Sequence, residues 1–234
     1  MDLTQFLVVI PARKDSKGIP GKNRKLLNGK PLIQYSIDFA LENFNRTQIY
    51  LSTDDEVILK IAEQNGIMDT ELRPSHLATD QASMQDLLRY VIEKQEAVGN
   101  NYQGLILLQP TSPFRRSLDL IAMLKLFDDS VEMVVSVKES KLNPYFNLFE
   151  ENEEGFMQKS KNSTALNRQG APKVFAYNGC IYLLKITALK STKISEFTRV
   201  KKYVMSTEFS IDIDDSIDWE FAEFLMKNKK VHVD

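Results

Sequence analysis

Residues 8–23 read Val8-Val9-Ile10-Pro11-Ala12-Arg13-Lys14-Asp15-Ser16-Lys17-Gly18-Ile19-Pro20-Gly21-Lys22-Asn23. The stretch begins inside a short apolar and partly β-branched run, residues 6–10, which predicts a buried strand. The loop that follows contains a hydroxyl side chain, two glycines and four basic side chains. Because flexible backbone can present N–H groups to an anion and Arg and Lys supply positive charge, the loop predicts a phosphate site. In open α/β sheets, a nucleotide usually lies where a strand runs into such a loop.

Neither of the two common glycine motifs for nucleotides describes this loop. Gly18 and Gly21 lack the spacing of a Walker A loop, and Lys22 is followed by Asn23 instead of Ser or Thr. The pattern G-x-G-x-x-G is also missing. A solvated basic surface loop is the simpler alternative, but it explains neither the glycines nor the position at the end of a strand. We therefore favour a phosphate site of another kind.

The composition is that of a globular protein with no general attraction to polyanions. The 234 residues are 43% hydrophobic and 26% charged, and they suffice for one domain with a sizeable core. A formal net charge of −2 and a pI near 5.8 argue against binding to nucleic acid or to an anionic membrane. The basic charge of the loop is therefore local, and a local patch suits a small anion.

The cysteine and histidine residues do not indicate a metal site or a catalytic group. Cys180 is the only cysteine, which excludes a disulfide framework and a thiolate zinc site, and its apolar surroundings predict a buried thiol. The two histidines, His76 and His232, are too far apart in sequence to suggest a metal site or a triad. We find no signal-peptide pattern and no apolar run near 18 residues, and we therefore expect a protein of the cytoplasm without membrane contact.

Helical and strand-like spacing of apolar residues alternates along the chain. The predicted strands span 6–10, 49–52, 104–109, 133–137, 174–183, 203–205 and 210–214. The predicted helices span 32–41, 57–66, 84–97, 118–127 and 217–226. Asp54 is predicted to cap the second helix, and Asp215 or Ser216 the last one. The pattern predicts a single domain, residues 1–234, folded as a three-layer α/β/α sandwich around a mainly parallel, Rossmann-like sheet.

Residues 138–176 interrupt the alternation. The segment has few periodic apolar positions and is rich in Lys, Asn, Glu, Ser and Pro. A stretch of this length inside a compact domain is usually functional, and we predict an inserted β-rich lid or dimerisation subdomain. A disordered insertion is the alternative, which the presence of Phe146, Phe149 and Phe156 disfavours.

A second informative stretch reads Ser210-Ile211-Asp212-Ile213-Asp214-Asp215. Residues two apart in a strand share a face, so Asp212 and Asp214 are predicted to point together, away from the apolar face of Ile211 and Ile213. Paired carboxylates repel each other unless a cation joins them, and hard oxygen ligands suit Mg²⁺ beside phosphates. We favour a metal-binding role for Asp212 and Asp214, whereas helix capping better explains Asp215.

A basic loop after the first strand and an acidic pair near the end of the chain are the parts needed for chemistry on a nucleoside triphosphate. Such catalysis depends mostly on positioning and on neutralising charge at the transferring phosphorus. Arg13 and Lys22 would hold the phosphates, assisted by Ser16, Lys17 and backbone N–H groups. The residues alone name neither the acceptor nor the base.

The loop, written I-P-A-R-x-x-S-K-G-I-P-x-K-N, resembles the opening motif of the acylneuraminate cytidylyltransferases, which make CMP-sialic acids. Related enzymes that activate 3-deoxy-manno-octulosonate carry a similar loop, typically with Lys-Pro where this chain has Lys22-Asn23. Later blocks similar to those of the family lie at 72–74 with 80–83, at 107–113, at 178–182 and at 210–214. The resemblance implies a nucleotidyltransferase-type fold and a homodimer formed through an annex such as 138–176. It also implies a reaction in which the anomeric hydroxyl of a nine-carbon keto-acid sugar attacks the α-phosphorus of CTP and releases pyrophosphate.

Roles for individual residues follow from the same resemblance. Binding of CTP is implied for Arg13, Ser16, Lys17, Lys22, Asn23, Arg73, Ala82 and Ser83. Binding of the sugar is implied for Gln109, Arg168 and Tyr182. Catalytic roles are implied for Arg13, Lys22, Arg168, Asp212 and Asp214, of which the two aspartates would also hold Mg²⁺. Each residue has a plainer reading: Gln109 could satisfy loop backbone, Tyr182 could belong to the core and Arg168 could be an exposed cation.

Departures from the family pattern cluster on the sugar side. Tyr145-Phe146 stands where members that use N-acetylneuraminate often carry a basic residue, and Ser195-Glu196 stands where aromatic residues commonly line the sugar pocket. Met84 replaces a common second hydroxyl after Ser83. N-acetylneuraminate, legionaminate and pseudaminate are all candidates for the sugar.

Two other functions compete with this reading. One is transfer to an octulosonate or another keto-acid sugar, and the other is a catalytically silent nucleotide-binding module, since a fold alone does not establish chemistry. The presence of Arg13, Lys22, Asp212 and Asp214 together disfavours the silent module.

Overall fold

A seven-stranded sheet forms the middle layer of the protein. The computed structural model describes residues 2–16, 18–67, 70–79, 81–165 and 167–231. The strands are Phe6–Ala12 (β1), Leu26–Leu27 (β2), Lys30–Pro31 (β3), Ile49–Thr53 (β4), Thr70–Leu72 (β5), Gly104–Leu107 (β6), Met133–Glu139 (β7), Phe149–Glu151 (β8), Met157–Lys159 (β9), Phe175–Lys185 (β10) and Val200–Val204 (β11). The order in the large sheet is β11-β7-β10-β6-β1-β4-β5, while β2 with β3 and β8 with β9 form two-stranded sheets.

Six strands of the large sheet run in one direction. β1 pairs in parallel with β4 and β6, β5 with β4, and β11 with β7, whereas β10 runs antiparallel between β6 and β7. All seven residues of β1 are buried, which explains why its sequence is a continuous apolar run without polar alternation. The predicted mainly parallel sheet is confirmed.

Helices cover both faces of the sheet. The α-helices are Leu32–Asn43 (α1), Glu56–Gln64 (α2), Met84–Ala97 (α3), Ser117–Leu124 (α4), Ile186–Ser191 (α5) and Ser216–Lys227 (α6). α1, α2 and α4 share one core cluster with Phe6, Val8 and Ile10, while α3 and α5 share another with Leu7 and Val9. Because successive side chains of β1 alternate between these two clusters, the molecule has three layers, as predicted. None of the helices in the described ranges combines the length and the apolar character that crossing a membrane requires.

The closing part of the chain forms a third apolar cluster at the side of α1. Ile211 and Ile213 pack there with Trp219 of α6 and Tyr35 of α1. Asp215 caps α6 by accepting hydrogen bonds from the backbone N–H groups of the second and third helical residues. This cluster fixes the segment just before α6, which carries the two predicted metal ligands.

Two details of the local predictions are wrong. α2 is capped by Asp55, whose carboxylate accepts from Val57 N at 2.9 Å, whereas the carboxylate of Asp54 accepts from Lys14 N at 2.7 Å. The acidic segment 210–214 belongs to no sheet. Within the described residues, one backbone hydrogen bond, from Ile213 N to Thr111 O at 2.8 Å, links it to the loop after β6. Several elements also begin or end two or three residues away from their predicted bounds, as expected where helices and strands fray.

The interruption at 138–176 contains one short β-hairpin. β7 extends into it to Glu139, β10 begins at Phe175, and the β8–β9 hairpin lies between them with every strand residue exposed. The side chains of Phe149 and Phe156 are 46% and 67% exposed. A single chain therefore does not bury these two rings.

Candidate active site

A cavity of about 710 Å³ opens at the edge of the sheet where parallel strands end. Three stretches of the chain line it. The first is the loop after β1, the second runs from Arg73, directly after β5, to the start of α3, and the third is the loop after β6. Because the carboxyl ends of parallel strands meet at one sheet edge, these three stretches converge although they lie far apart in sequence. The acidic segment before α6 closes the remaining side.

The basic loop contributes four of its predicted residues to the lining: Arg13, Ser16, Lys22 and Asn23. Gly21 adopts a left-handed conformation with φ of 62°, and the short helical turn that follows directs Lys22 and Asn23 inward, so that both are buried. Asn23 Nδ2 donates to the carbonyl oxygen of Arg13 at 2.9 Å, while its Oδ1 is buried without a hydrogen-bond partner in the described structure. Lys17, also predicted to bind the nucleotide, lies outside the described residues.

Lys22 joins the basic loop to the acidic segment. Its Nζ lies 2.5 Å from the carbonyl oxygen of Ile213 and 3.4 Å from Oδ1 of Asp214. The Lys22 side chain is 7% exposed, whereas that of Asp214 is 76% exposed. The ammonium group thus reaches the cavity from a buried stem, and the carboxylate faces it from the solvent side.

The acidic pair faces the cavity as predicted, although not from a strand. Ile211 and Ile213 are buried in the core, and the alternate residues Asp212 and Asp214 line the cavity. Burial raises the pKa of Asp212, and the neighbouring charge of Asp214 raises it further, while a hydrogen bond from the Thr111 side chain acts in the opposite direction. Oδ1 of Asp212 is buried and has no hydrogen-bond partner in the described part of the chain.

These features fit a divalent cation. Two carboxylates line the same cavity, and Oδ1 of Asp212 is buried with no hydrogen-bond partner among the described residues. Within the described ranges no cluster of three or more His, Cys, Asp or Glu side chains could hold a metal by itself. A cation between Asp212 and Asp214 would therefore complete its coordination with water and with substrate phosphates, which is the usual mode for Mg²⁺.

The opposite wall carries Arg73, Ala82 and Ser83, all predicted to bind the nucleotide. Arg73 is buried and donates from Nε to Ser52 Oγ at 3.0 Å and from Nη2 to the Ser52 carbonyl at 2.8 Å. The hydroxyl of Ser83 accepts from the backbone N–H of Asp86, and so caps α3. An apolar part of this wall, formed by Leu77, Met84 and Leu87, is not among the predicted site residues, because apolar side chains such as these are typical of a core.

Gln109 lines the cavity at the end of β6, as predicted, and Gly179 of β10 lies beside it. A Cβ atom on Gly179 would lie 2.9 Å from Oε1 of Gln109, 2.7 Å from Oγ of Ser112 and 3.1 Å from Oδ2 of Asp212. Gly179 has a φ of +72° and lies in a register shift of β10, between Tyr177 and Tyr182. A glycine inside a strand pattern is a signal of such close backbone approach, and it could have placed this residue in the site.

The other two predicted sugar-binding residues lie outside the lining of the cavity. Tyr182 is half-buried, and burial raises its pKa to about 12; the charge of Asp212, which lies near enough to act on it, contributes. Arg168 is exposed in the segment between β9 and β10. In a single chain the charge of Asp212 thus acts on Tyr182, whereas Arg168 is exposed and does not line the cavity.

The fold and the site define a class: a nucleotide-dependent α/β enzyme in which a basic loop after the first strand faces a pair of carboxylates. The profile of the cytidylyltransferase family matches residues 7–230, and the chain belongs to that family.

Similar proteins agree with this placement. The chain is 31% identical to the post-translational flagellin modification protein B of Campylobacter coli, with 98% of both chains covered. It is 31% identical to the CMP-N,N'-diacetyllegionaminic acid synthase of Legionella pneumophila, with 95% of this chain and 97% of that one covered. The N-acylneuraminate cytidylyltransferase of Escherichia coli is 32% identical over 97% of this chain, which spans about half, 53%, of that relative.

Among solved structures, a CMP:2-keto-3-deoxy-manno-octonic acid synthetase complexed with CTP superposes with a TM-score of 0.69. The match covers 96% of this chain and 99% of that one at 18% identity. This likeness confirms the predicted nucleotidyltransferase-type fold.

Proposed function

We propose that the protein transfers a cytidylyl group from CTP to a nonulosonic, sialic-type acid and forms a CMP-sugar and pyrophosphate. The observation that carries the proposal is the contact of Lys22 Nζ with the Ile213 carbonyl beside Asp214, because it joins a phosphate-binding loop to a pair of metal-type carboxylates in one cavity. The relatives named above support the reaction and the class of sugar.

The triphosphate would lie between the basic loop and the acidic pair. Arg13, Ser16 and Lys22 line that part of the cavity and offer charge and donors for phosphate oxygens. The pyrimidine would lie towards Arg73 and the apolar wall of Leu77, Met84 and Leu87, which offers a flat base the burial it needs. Asn23 Oδ1 adds a buried acceptor for a donor group of the ligand.

Asp212 and Asp214 would hold Mg²⁺. Bound there beside the phosphates, the cation would supply neutralisation of charge on the triphosphate oxygens. The half-buried Asp212 and the exposed Asp214 would supply the carboxylate ligands.

In the proposed reaction the anomeric hydroxyl oxygen of the sugar forms a bond to the α-phosphorus of CTP. The bond from that phosphorus to the oxygen bridging to the β-phosphate breaks, and the electron pair leaves with pyrophosphate. The hydroxyl proton passes to solvent water as the new bond forms. Gln109, which lines the cavity, would donate a hydrogen bond to the sugar, and Tyr182, whose pKa is raised in part by the charge of Asp212, would contact the sugar beside it. Lys22 and Arg13 would balance the negative charge that accumulates on the phosphates.

We also propose that two copies of the chain form a homodimer through the segment 138–176. Phe149, Phe156 and Met157 of the β8–β9 hairpin are 46%, 67% and 66% exposed. Large apolar side chains that are exposed together are typical of an interaction surface. A second copy could bury them and could bring its Arg168 towards the sugar end of the cavity. CTP and the sugar substrate would both be met in the cytoplasm, which is where we propose the enzyme works.

The proposed function is tested by incubating the purified protein with CTP, Mg²⁺ and one nonulosonic acid and identifying the products by mass spectrometry. We expect the mass of the CMP-sugar together with an equal amount of pyrophosphate, and no product with EDTA. Tight binding of CTP without any product from the candidate sugars would instead support the silent nucleotide-binding module.

A further inference from the structure

Arg115 is the largest fully buried side chain in the described part of the protein, with 2% of its surface exposed. No carboxylate within the described ranges pairs with it. Its guanidinium instead donates from Nε to the carbonyl oxygen of Cys180 at 2.8 Å, from Nη1 to Ser36 Oγ at 2.9 Å and from Nη2 to the carbonyl oxygen of Gln109. The ring of Phe39 lies against it, with 5.9 Å from Cζ to the ring centroid.

Burying a cation without a carboxylate partner is costly. A hydrophobic side chain of similar volume would fill the same space without that cost. The packing of the core therefore does not explain the guanidinium, and its explanation has to come from the groups that it holds.

Those groups come from three separate elements and meet at Arg115, and one of them, Gln109, also lines the cavity. Ser36 belongs to α1, Gln109 follows β6, and Cys180 lies in the register shift of β10. The Gln109 carbonyl also accepts from Ser112 N at 3.1 Å, so two donors fix it. Cys180 directly follows Gly179, whose α-carbon faces the Gln109 side chain and Asp212.

We propose that Arg115 is a positioning residue for the acceptor side of the reaction, an assignment that rests on the proposed function. One planar guanidinium holds the backbone of Gln109 and the backbone next to Gly179 in a fixed relation. That relation sets where the Gln109 side chain, which lines the cavity, lies against the α-carbon of Gly179, and we place the incoming sugar beside that side chain. The nucleotide end, formed by Arg13, Lys22 and Arg73, lies outside these contacts.

Lysine cannot replace this arrangement. A guanidinium carries donors on three nitrogens in one plane, whereas an ammonium places all of its donors on one atom. Arg115→Lys keeps the charge but can satisfy at most part of the three acceptors at their present spacing. The Arg115→Lys variant therefore tests the hydrogen-bonding geometry of the guanidinium separately from its positive charge.

The test compares Arg115→Lys with the matched control Arg116→Lys. Arg116 is the next residue in the chain, but it pairs with Asp119 at 2.8 Å and stacks on Phe209, and it does not line the cavity. For each protein we would measure the melting temperature, the Kd for CTP by calorimetry, and kcat and KM for the sugar at saturating CTP. We expect Arg115→Lys to change the Kd for CTP by less than about twofold and to lower kcat/KM for the sugar by about tenfold or more, with the control unchanged.

Each outcome decides the matter. Suppose that the wild-type protein is active and the Arg115→Lys variant folds. Normal kcat/KM for the sugar in that variant would overturn the assignment of Arg115. Equal losses in CTP binding and in kcat/KM for the sugar would overturn it as well. If Arg115→Lys does not fold, Ser36→Ala removes only the α1 partner, and we expect it to lower kcat/KM for the sugar by about threefold without changing CTP binding. Normal sugar kinetics in that variant would likewise overturn the assignment. A wild-type protein inactive with every sugar would overturn the proposed function and this inference together.

Discussion

A Cβ atom on Gly18 would lie 1.9 Å from the carbonyl oxygen of Asp214, so the basic loop and the acidic segment meet backbone against backbone. Together with the bond from Lys22 Nζ to the Ile213 carbonyl, this contact fixes the two halves of the proposed phosphate and metal site to each other. Contacts within the chain itself therefore hold the two halves of the site together. Preorganised charge of this kind is what catalysis on phosphates requires.

We predict that Gly18→Ala impairs catalysis because the added methyl group must push the loop away from Asp214. A displacement on the order of 1 Å in such a site can cost on the order of 100-fold in rate, and we expect a loss approaching that size in kcat/KM for CTP. Steady-state kinetics with CTP would measure it. Gly170→Ala is the control, since a Cβ there has its nearest contact at 3.5 Å. Near-normal kcat/KM for CTP in both variants would show that the basic loop does not need the close approach of Gly18 to the Asp214 carbonyl.

We predict that Lys22→Ala raises the KM for CTP and lowers turnover. A charge-assisted contact to a phosphate is worth about 1.5–3 kcal/mol, which corresponds to a loss of roughly 10- to 150-fold in kcat/KM. Lys14→Ala removes the same charge from the same loop, but Lys14 is exposed and does not line the cavity. Comparable losses in the two variants would point to general electrostatic attraction instead of a specific contact.

We predict that Asp212→Asn lowers turnover by orders of magnitude without destabilising the metal-free protein. Burial raises the pKa of Asp212, so its contribution to stability is greatest at low pH and is lost as the pH rises through the folded-state pKa. At pH 7.5 in EDTA, the melting temperature of the variant should therefore equal or exceed that of the wild type, and the difference should shrink towards pH 4. The exposed Glu220→Gln is the control. Near-normal turnover in Asp212→Asn would remove the metal assignment.

We predict that the protein is a dimer at micromolar concentration and that the double variant Phe156→Ser/Met157→Ser is a monomer. Both side chains are about two-thirds exposed in the single chain, and burying them against a second copy would stabilise the pair. Light scattering or sedimentation would give the mass. Replacing the exposed Ile217 of α6 by Ser is the control for a general loss of apolar surface. A wild-type monomer with full activity would rule out a catalytic need for the dimer.

Much of this architecture could be predicted from the sequence. The apolar run before Pro11 predicts a strand because a strand buried on both faces has no polar alternation. The alternation of Ile211 and Ile213 with Asp212 and Asp214 predicts that the two isoleucines face the core and the two aspartates face away from it. The structure shows this arrangement, although the segment joins no sheet. Extended backbone alternates its side chains whether or not a neighbouring strand pairs with it.

Other features depend on tertiary contacts that a sequence pattern does not carry. Asp54 and Asp55 are equally good caps by composition, and the choice between them depends on a contact of Asp54 with Lys14, 40 residues away. Arg115 follows the block 107–113, where charge predicts exposure, yet it is fully buried because three elements supply acceptors for it. Gly179 belongs to the block 178–182, which resembles the family, but its contact with Gln109 follows from the register shift of β10.

The central claim is that this protein makes a CMP-sugar from CTP, and the most direct measurement is pyrophosphate release across a panel of substrates. CTP, UTP, ATP and GTP would each be tested with N-acetylneuraminate, legionaminate, pseudaminate and 3-deoxy-manno-octulosonate, in Mg²⁺ and in EDTA. We predict release with CTP and at least one of the three nonulosonic acids, no release in EDTA, and little release with the other nucleotides. Release only with the octulosonate, only with another nucleotide, or with none of the combinations would contradict the account.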